Sequence, residues 1–496
     1  MKNNIYTCIE FGSYEIKILV CNIREERLFV IAQRCIESVG IDRGQITNFS
    51  KLVAQIKKLK ELVEADLKQP LTSLTLTVAP LDVLIEHTMG KINLDVKQAI
   101  STDDVKKLFR QVMEQPHDPS YLPIDLMPRL FRIDENHIVQ NPCGLSGMSL
   151  AIEAQRLLVP TTIVSNLIHA TESSGFKVDD IVTGNVSEAF LALTAPEMYA
   201  KSCHINIGHS MTVVVVTNEG KVLHIRTLPI GGRDISRAIA ERFDIPEKTA
   251  QQLKCDYGEV TPHAKVTLDN QVIYVENNTE NKEMMFITRG MLNEIVTDCS
   301  ERLFQTIKDY IVDEMRLKEQ EYHYSLAGGM ANLPNVASSL QNQLLAVATI
   351  YQPTMIGARD SKFSSLIGVG IFAHETALLL GQNLQKLKFE TGERKFLTKT
   401  APEKQVTPSA KASNNNTSQS LKNAIAKAES QTDNEAIGQT KARIFGEFDE
   451  TPFLEAGATE MIANEYIDKK LESSGVLGKF IDKFFNETIE EKNEKQ

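Results

Sequence analysis

The strongest constraint in this sequence is a pattern that occurs twice: an apolar run, a turn containing glycine, and a second apolar run. The two copies are IEFGSYEIKILV at 9–20 and INIGHSMTVVVV at 205–216. Each copy is followed by a further strand-like segment, RLFVIAQRCIE in the first case and KVLHIRTLPI in the second. A three-strand meander that opens two halves of one chain predicts a duplicated α/β fold. Because few aligned residues are identical, two unrelated meanders are the alternative interpretation.

The segments around the two meanders add helices and further strands. NFSKLVAQIKKLKELVEADL has helical periodicity, and LTSLTLTVAP after it is typical of a strand. After the second meander, GGRDISRAIAERFDI and MLNEIVTDCSERLFQTIKDYIVDEM predict amphipathic helices. YHYSLAGGMANLPNVASSLQNQL then predicts a strand, a Gly-Gly turn and a helix. The chain therefore contains three glycine turns, two inside the meanders and one before a helix.

Composition and charge narrow the class of function. The chain has 496 residues, 42% hydrophobic and 24% charged, which predicts about two to four compact units. The net charge of −11 argues against nucleic acid as the main partner, since duplex binding needs a basic face. The seven scattered cysteines contain no CxxC pair, and His204 and His209 lack cysteine or acidic partners nearby, which favours reduced, mostly buried thiols over a disulfide framework or a metal site.

The termini of the chain suggest where it works. The first residues are broken by charges and lack the layout of a signal peptide, and no uninterrupted apolar run approaches the ~20 residues of a transmembrane helix. These observations predict a cytoplasmic chain that meets a membrane only at its surface. The segment 386–474 is polar and nearly free of aromatic residues at its start, which predicts a largely disordered tether.

The end of the chain recovers a helical pattern in VLGKFIDKFF, within a segment at 475–491. On a helical wheel the polar residues fall on one half of this segment. The apolar half consists of Val476, Leu477, Phe480, Ile481, Phe484 and Phe485. Because this helix follows a long polar tether, we expect it to bind a phospholipid membrane surface, with docking on the protein's own core as the alternative. A helix this short is marginal in water, so each copy should attach weakly and reversibly.

Five sequence blocks occur in a characteristic order: IEFGSYEIKILV, NPCGLSGMSLAIEAQRLLVP, LPIGGRDISRAIAERFDIPEKTAQQLKCDYG, SLAGGMANLPNV and SSLIGVGIFAHE. Together they resemble the FtsA family of bacterial cell-division proteins, within the actin-like ATPase superfamily. The resemblance covers roughly residues 5 to 385. It implies an α/β, actin-like duplicated ATPase fold with an FtsA-type extra subdomain, followed by the disordered tether and the C-terminal amphipathic helix. In that superfamily two turns clamp the phosphates of a nucleotide, and the third meets its adenosine.

The resemblance also implies a division of the chain into subdomains. The first half comprises 1A at 1–82, the extra subdomain 1C at 83–160, and the rest of 1A with a connecting segment at 161–202. The second half comprises 2A at 203–234, 2B at 235–305, and the return through 2A to 1A at 306–385. The tether at 386–474 and the membrane-targeting helix at 475–491 complete the chain.

The resemblance assigns roles to residues in each turn. By this resemblance the carboxylate of Glu10 would face a magnesium ion through water and Ser13 would face phosphate, with an exposed charge at the strand end as the alternative for Glu10. Lys17 reaches phosphate or faces water. Lys254 lies where family members carry a lysine near the adenosine, with a solvated helix face as the alternative. The residues predicted to bind nucleotide are Glu10, Gly12, Ser13, Lys17, Asn206, Gly208, Thr212, Gly231, Gly232, Lys254, Gly328, Gly329 and Met330.

The second turn departs from the family pattern of Asp-X-Gly-Gly-Gly-Ser/Thr. Asn206 stands at the aspartate position, and His209 and Ser210 replace glycines that allow close backbone approach. A neutral amide supplies no charge to a hydrated Mg²⁺. Its presence should therefore slow hydrolysis more than it weakens nucleotide binding. The sequence therefore predicts ATP binding with weak or absent hydrolysis. Glu188 lies where actin-like ATPases orient the attacking water, although FtsA relatives usually lack a strong acid there.

By resemblance, the chain polymerises on the cytoplasmic side of the cell membrane at the division site. There it anchors FtsZ filaments through the FtsZ C-terminal tail, which docks in the family on the small subdomain of the second half. It also helps to recruit other division proteins, with ATP and Mg as cofactors. Two alternatives are a small-molecule kinase or chaperone ATPase of the same superfamily, and the pilus-assembly relative that docks on a transmembrane partner. An intact aspartate in the second turn would favour the first, and the terminal helix disfavours both.

Overall fold

The computed structural model describes residues 5–24, 27–134, 137–260, 270–276, 284–355 and 357–380. The predicted tether and the predicted membrane-targeting helix lie outside the described residues.

The chain opens with a meander and a helix. The elements up to residue 78 are β1 (Ile5–Phe11), β2 (Glu15–Arg24), β3 (Arg27–Glu37), β4 (Ile41–Asp42), β5 (Gln45–Ile46), α1 (Phe49–Leu67) and β6 (Ser73–Val78). Helix α1 begins after Asn48, whose side chain accepts a hydrogen bond from the N–H of Lys51. Its apolar positions recur every three or four residues, and one face is therefore buried against the sheet and α3 (Thr161–Ser173).

An inserted subdomain follows. It consists of β7 (Leu84–Ala99), α2 (Thr102–Met113), β8 (Tyr121–Ile133), β9 (His137–Val139) and β10 (Ser146–Pro160), with a sheet of order β7-β10-β8-β9. Ser101 and Asp104 form a capping box at the start of α2. The helix packs its apolar face on the sheet, and the resulting hydrophobic core belongs mainly to the subdomain, with Leu380 as a contributor from outside it.

A buried arginine caps the C-terminal end of helix α2. Arg156 on β10 is 2% exposed. Its guanidinium donates to the carbonyls of Val112, Met113, Gln115 and Pro116 and to the carboxylate of Glu86. Two of these carbonyls belong to the last turn of the helix and two to the residues just after it, a region that offers few backbone donors and where a positive charge is favourable. One side chain thus connects α2 to two strands of the sheet.

The chain then returns to the first half through α3, β11 (Lys177–Thr183), α4 (Gly184–Ala192) and α5 (Ala195–Tyr199). Strand β11 completes a five-stranded sheet of order β11-β6-β1-β2-β3. The meander strands pair antiparallel, whereas β1, β6 and β11 pair parallel. The buried carboxylate of Asp125 on β8 accepts hydrogen bonds from Thr183, which fixes the inserted subdomain to this sheet.

The second half repeats this arrangement with a small addition. Its elements are β12 (Ser202–Ile207), β13 (Thr212–Asn218), β14 (Lys221–Leu228), α6 (Gly232–Phe243), α7 (Glu247–Tyr257), β15 (Val272–Glu276), β16 (Met284–Thr288), α8 (Arg289–Asp309), β17 (His323–Ala327), α9 (Val336–Leu344), β18 (Ala348–Ile350) and α10 (Ser364–Leu380). The main sheet has the order β14-β13-β12-β17-β18, and β15 pairs with β16 as a separate hairpin.

The two five-stranded sheets have the same topology. In each, a meander leads from the centre of the sheet to one edge, and two parallel strands complete the other side. The hairpins also share one register, because Phe11 pairs with Ile16 in the first sheet and Ile207 pairs with Thr212 in the second. The predicted duplication is therefore confirmed, and with its inserted subdomain the fold is the actin-like α/β fold that the sequence predicts.

Helix α10 returns the chain to the first half. The span Ser361–Leu380 is long and apolar enough to cross a membrane by length and composition, but 61% of its most apolar stretch is buried inside the protein. It packs on α4 and on the strands of the first sheet. A Cβ at Gly368 would lie 2.6 Å from the carbonyl oxygen of Ser187, so the two helices approach closely because this residue has no side chain. The helix is thus part of the core.

We expect the replacement Arg156→Met to lower the free energy of unfolding by about 3–5 kcal/mol, because it leaves several buried acceptors without a donor. The control is Arg132→Met in the same subdomain. Arg132 also pairs with a glutamate, Glu153, but is 39% exposed and should cost at most about 1 kcal/mol. Urea unfolding of the two variants measures the difference, and equal losses would show that Arg156 does not cap α2 as described.

Candidate nucleotide site

The first turn (residues 12–15) and the second turn (residues 208–211) are built alike. The N–H of Gly12 donates to the carbonyl oxygen of Glu15 over 3.1 Å, and the N–H of Gly208 donates to that of Met211 over 2.9 Å. A Cβ at either glycine would lie 3.0 Å or less from that same carbonyl oxygen, which explains the residue type. The duplicated sheets therefore end in duplicated turns.

Both turns present backbone N–H groups. Within the described part of the chain, the N–H groups of Ser13, Tyr14, His209 and Ser210 take part in no hydrogen bond. The hydroxyl of Ser210 is also buried without a partner among the described residues. Neither His209 nor Ser210 has a positive φ, so these side chains cause no backbone strain. Successive free N–H groups in turns are a common arrangement for binding phosphate.

The tips of the two turns meet. The rings of Tyr14 and His209 lie 4.9 Å apart between centroids. Ion pairs join the halves nearby, from Arg233 to Asp42 and from Lys248 to Glu37. Burial, with the positive charges of Lys254 and Arg233 as smaller contributions, lowers the pKa of His209 to about 4. The imidazole is therefore neutral at pH 7.

The glycine pair before α6 holds the second turn. The N–H of Gly232 donates to the carbonyl oxygen of Gly208 over 2.9 Å, and the N–H of Arg233 donates to that of His209 over 2.7 Å. A Cβ at Gly231 would lie 2.6 Å from the carbonyl oxygen of His209. The first N–H groups of the helix thus bind the turn itself. The hydroxyl of Thr212 in the same region donates to the carbonyl of Ile230.

The third turn (residues 328–332) lies beside the second, because β17 is the parallel neighbour of β12. Gly328 has a φ of +87°, and a Cβ there would lie 2.6 Å from both Asn206 Oδ1 and the carbonyl oxygen of Ile207. Gly329, in contrast, faces open space, with nothing within 4 Å of a Cβ. Met330 is buried and approaches Gly232. The third turn therefore has one glycine that packing requires and one that borders open space.

Lys254 on α7 is buried, with 4% exposure, so it is not on a solvated helix face. Its ammonium donates to the carbonyl of Gly232 and to the hydroxyl of Ser236, which holds α7 against the start of α6. Burial lowers the pKa of Lys254 to about 8. The side chain therefore stabilises the start of α6, which holds the second turn.

Glu10 and Lys17 form an ion pair across β1 and β2. Glu10 Oε1 lies 2.7 Å from Lys17 Nζ, which also donates to the carbonyl of Lys362. Glu10 Oε2 is buried, and no group in the described part of the chain donates to it. This orphaned oxygen is an acceptor of the kind that a hydrated magnesium ion binds, and so is the side-chain oxygen of Asn206.

Glu188 on α4 lies at the centre of a buried polar cluster that sequence reasoning missed. Its carboxylate accepts hydrogen bonds from Asn206 Nδ2 over 2.5 Å and from Ser364 Oγ, and His204 Nε2 lies 3.4 Å away. Burial alone would raise the pKa of Glu188, but His204, Ser364 and Asn206 outweigh it and lower the pKa below its ordinary value. His204 and Asn206 are two residues apart on one strand and so share a face, which is the signal that could have suggested the cluster.

The structure therefore brings the predicted nucleotide residues of all three turns to one region between the halves. A duplicated α/β fold with three such turns and an inserted subdomain defines an actin-like protein.

Comparison with known families shows which actin-like proteins this chain resembles. The family model for "Cell division protein FtsA" matches residues 203–368, and the model for "SHS2 domain inserted in FTSA" matches residues 82–157. Both the second half of the chain and its inserted subdomain are therefore similar to FtsA.

Curated relatives agree over most of the chain. FtsA of Bacillus subtilis (strain 168) is 24% identical over 388 residues, which cover 77% of this chain and 86% of the relative. FtsA of Streptococcus pneumoniae is 24% identical over 376 residues, 75% of this chain and 80% of the relative. Among solved structures, the PilM–PilN type IV pilus biogenesis complex matches 74% of this chain and 98% of its own, with 15% identity and a TM-score of 0.47. A structural similarity at that level supports no functional assignment.

The two glycines of the third turn should respond differently to alanine. Gly328→Ala places a Cβ in a left-handed conformation and against two oxygens, so it should cost at least about 1–2 kcal/mol of unfolding free energy. Gly329→Ala meets no neighbour and should stay within about 0.5 kcal/mol of wild type. Chemical unfolding of both variants tests this difference. An equal effect at the two positions would contradict the described geometry of the turn.

The buried His209 should make stability depend on pH. Its folded pKa lies below its unfolded value, so the unfolded state binds the extra proton between pH 6.5 and about 4. The stability due to a neutral His209 is thus present above pH 6.5 and is lost as the pH falls through this window. We expect His209→Gln to lose less stability than wild type between pH 7 and pH 5 in denaturant titrations. Parallel losses in the two proteins would show that His209 is not buried in the neutral form.

Proposed function

We propose that this chain is a polymerising cell-division protein that binds nucleotide between its two halves and attaches to the cytoplasmic side of the cell membrane. The observation that carries the proposal is the match of both the second half and the inserted subdomain to models specific to FtsA. An actin-like kinase or chaperone would not require the second of these. The proposed site of action is the division site.

The proposed ligand is ATP. The free N–H groups of the first and second turns would hold its phosphates, and the open space at Gly329 would take the adenosine. A magnesium ion, held through water by Glu10 Oε2 and the oxygen of Asn206, would neutralise charge on the phosphates. Both turns end in strands of rigid sheets, so the N–H groups are positioned before the ligand arrives.

Hydrolysis should be slow or absent. Glu10 is already paired with Lys17, and Asn206 carries no charge. Glu188, the predicted catalytic residue, is fully buried and uses both carboxylate oxygens to accept hydrogen bonds within the protein. Phosphoryl transfer depends on charge stabilisation and on an oriented nucleophile, and the described residues provide little of either. ATP would then act mainly by binding the two halves together.

The proposed partners follow from the family. The C-terminal tail of FtsZ would dock on subdomain 2B at 235–305, and subdomain 1C at 83–160 would contact neighbouring copies and later division proteins. We propose the remaining subdomain boundaries as 1A at 1–82 and 161–202, 2A at 203–234, and the return through 2A to 1A at 306–385. Self-association into filaments would place many copies of the terminal helix on one membrane surface.

Attachment would use the helix at 475–491 with Val476, Leu477, Phe480, Ile481, Phe484 and Phe485 toward the lipid. Burying a large apolar side chain fully is worth ~1.5–3 kcal/mol, but an interfacial helix buries its face only in part and must fold on binding. One copy is therefore a weak anchor. Copies joined in a filament bind together with a high effective concentration, so attachment should strengthen with polymerisation.

The test is co-sedimentation of the full chain with liposomes, with ATP, with ADP and without nucleotide, combined with electron microscopy. We expect filaments on the membrane with ATP. Equal assembly with ATP, with ADP and without nucleotide would contradict the nucleotide part of the proposal. A full chain that never binds lipid would contradict the membrane part and favour an enzyme or a pilus-assembly protein instead.

Variants of the terminal helix locate the attachment. Deletion of 475–496 should release the protein from liposomes. Phe484→Asp should weaken binding about tenfold or more, because it places a charge on the apolar half. Asn486→Asp adds the same charge on the polar half and is the matched control, with little effect expected. A truncated protein that still sediments with liposomes would refute this assignment.

A further inference from the structure

The duplicated turns differ at one equivalent position, and the difference concerns charge. The register of the hairpins makes Glu10 of the first sheet equivalent to Asn206 of the second, since each precedes the turn glycine by two residues. The first copy thus has a carboxylate with one free oxygen, whereas the second has a neutral amide. Asn206 donates its amide N–H directly to the carboxylate of Glu188.

The amide of Asn206 has a defined orientation. Its contact with Glu188 Oε2 spans 2.5 Å, and only the NH₂ group can lie that close to an ionised carboxylate. The carbonyl oxygen must then point the other way. It lies 2.6 Å from the position of a Cβ at Gly328 and 4.0 Å from that of a Cβ at Gly208. Asn206 Oδ1 is therefore located between the second and third turns.

Glu188 is held firmly on its other side. Ser364 Oγ donates to Oε1, His204 lies beside Oε2, and no part of the side chain reaches solvent. Two ionised carboxylates in direct contact repel each other, and the repulsion is large where one of them is fully buried. An aspartate at 206 would therefore be destabilised by the carboxylate of Glu188, which contacts that position.

We propose that Glu188 is a positioning residue for cation-assisted nucleotide binding. It orients Asn206 so that the amide oxygen is the acceptor offered to a hydrated divalent cation. Its own carboxylate, which contacts the amide nitrogen, supplies the negative charge that Glu10 supplies in the first turn. This inference rests on the proposed nucleotide site. It assigns Glu188 a role through Asn206, whereas the sequence suggested direct contact with the attacking water.

The experiment uses four full-length variants: Glu188→Gln, Asn206→Asp, the double variant that carries both replacements, and Asn335→Asp. The last is a matched control, because Asn335 also donates its amide to a glutamate, Glu259, but at the surface. Thermal unfolding without nucleotide is measured first. Asn206→Asp should lower the midpoint by roughly 5 °C, and the double variant should regain most of this loss. The control should change by less than about 1 °C.

The second readout is the affinity for ADP with magnesium and with EDTA. Glu188→Gln should weaken binding with magnesium about tenfold, which is the usual effect of losing a residue behind a metal ligand, and should leave binding in EDTA unchanged. The double variant should restore the magnesium-dependent affinity because its charge has returned to position 206.

Either readout can overturn the inference. It fails if Asn206→Asp is as stable as wild type, if the losses of the single variants add in the double variant, or if Glu188→Gln keeps its full magnesium dependence. Failure of the proposed function gives a different result, because wild type itself would then bind no ADP, with or without magnesium. In that case the role of Glu188 toward a cation falls with the nucleotide site, and the unfolding midpoints still decide whether the two side chains are coupled.

Discussion

The arrangement of the site depends on two backbone hydrogen bonds, from the N–H groups of Gly232 and Arg233 to the carbonyls of Gly208 and His209. They fix the second turn to the start of α6. Because the turn is held there, His209 reaches Tyr14 of the other half. The carbonyl of Gly232 is in turn held by Lys254. A helix N-terminus carries partial positive charge and unsatisfied donors, so a turn that offers carbonyls is a natural partner for it.

This use of the helix changes what the second turn can offer a ligand. The helix donors are occupied, so the N–H groups of His209 and Ser210 are the ones that remain for phosphate. Neither residue has the positive φ for which glycine would be needed, and the loss of two glycines is therefore less damaging than the sequence suggested. The loss of a carboxylate at Asn206 matters more, since no change in backbone geometry replaces a charge. The second turn therefore departs from the family pattern in its charge more than in its backbone conformation.

The fold could be predicted from the sequence further than the site could. The two meanders are indicated by local signals, namely apolar runs and a glycine at the turn, and both sheets follow from them. The cluster around Glu188 has no such signal. Ser364 is 176 positions away from it, and the two meet only because α10 packs on α4. The burial of Lys254 could not be predicted from the sequence either, because a lysine on an amphipathic helix is usually exposed. Its burial follows from two acceptors, Gly232 and Ser236, supplied by another helix.

The inserted subdomain begins and ends on paired strands. Leu84 at the start of β7 lies opposite Leu158 near the end of β10, so the chain leaves the first half and returns to it at one place. The covalent connection between the insertion and the host sheet is therefore a two-stranded stem. A module attached in this way can be lengthened, shortened or exchanged in evolution while the strands that carry the nucleotide turns keep their register. The stem thus separates the part of the protein that is free to diversify from the part that must stay the same.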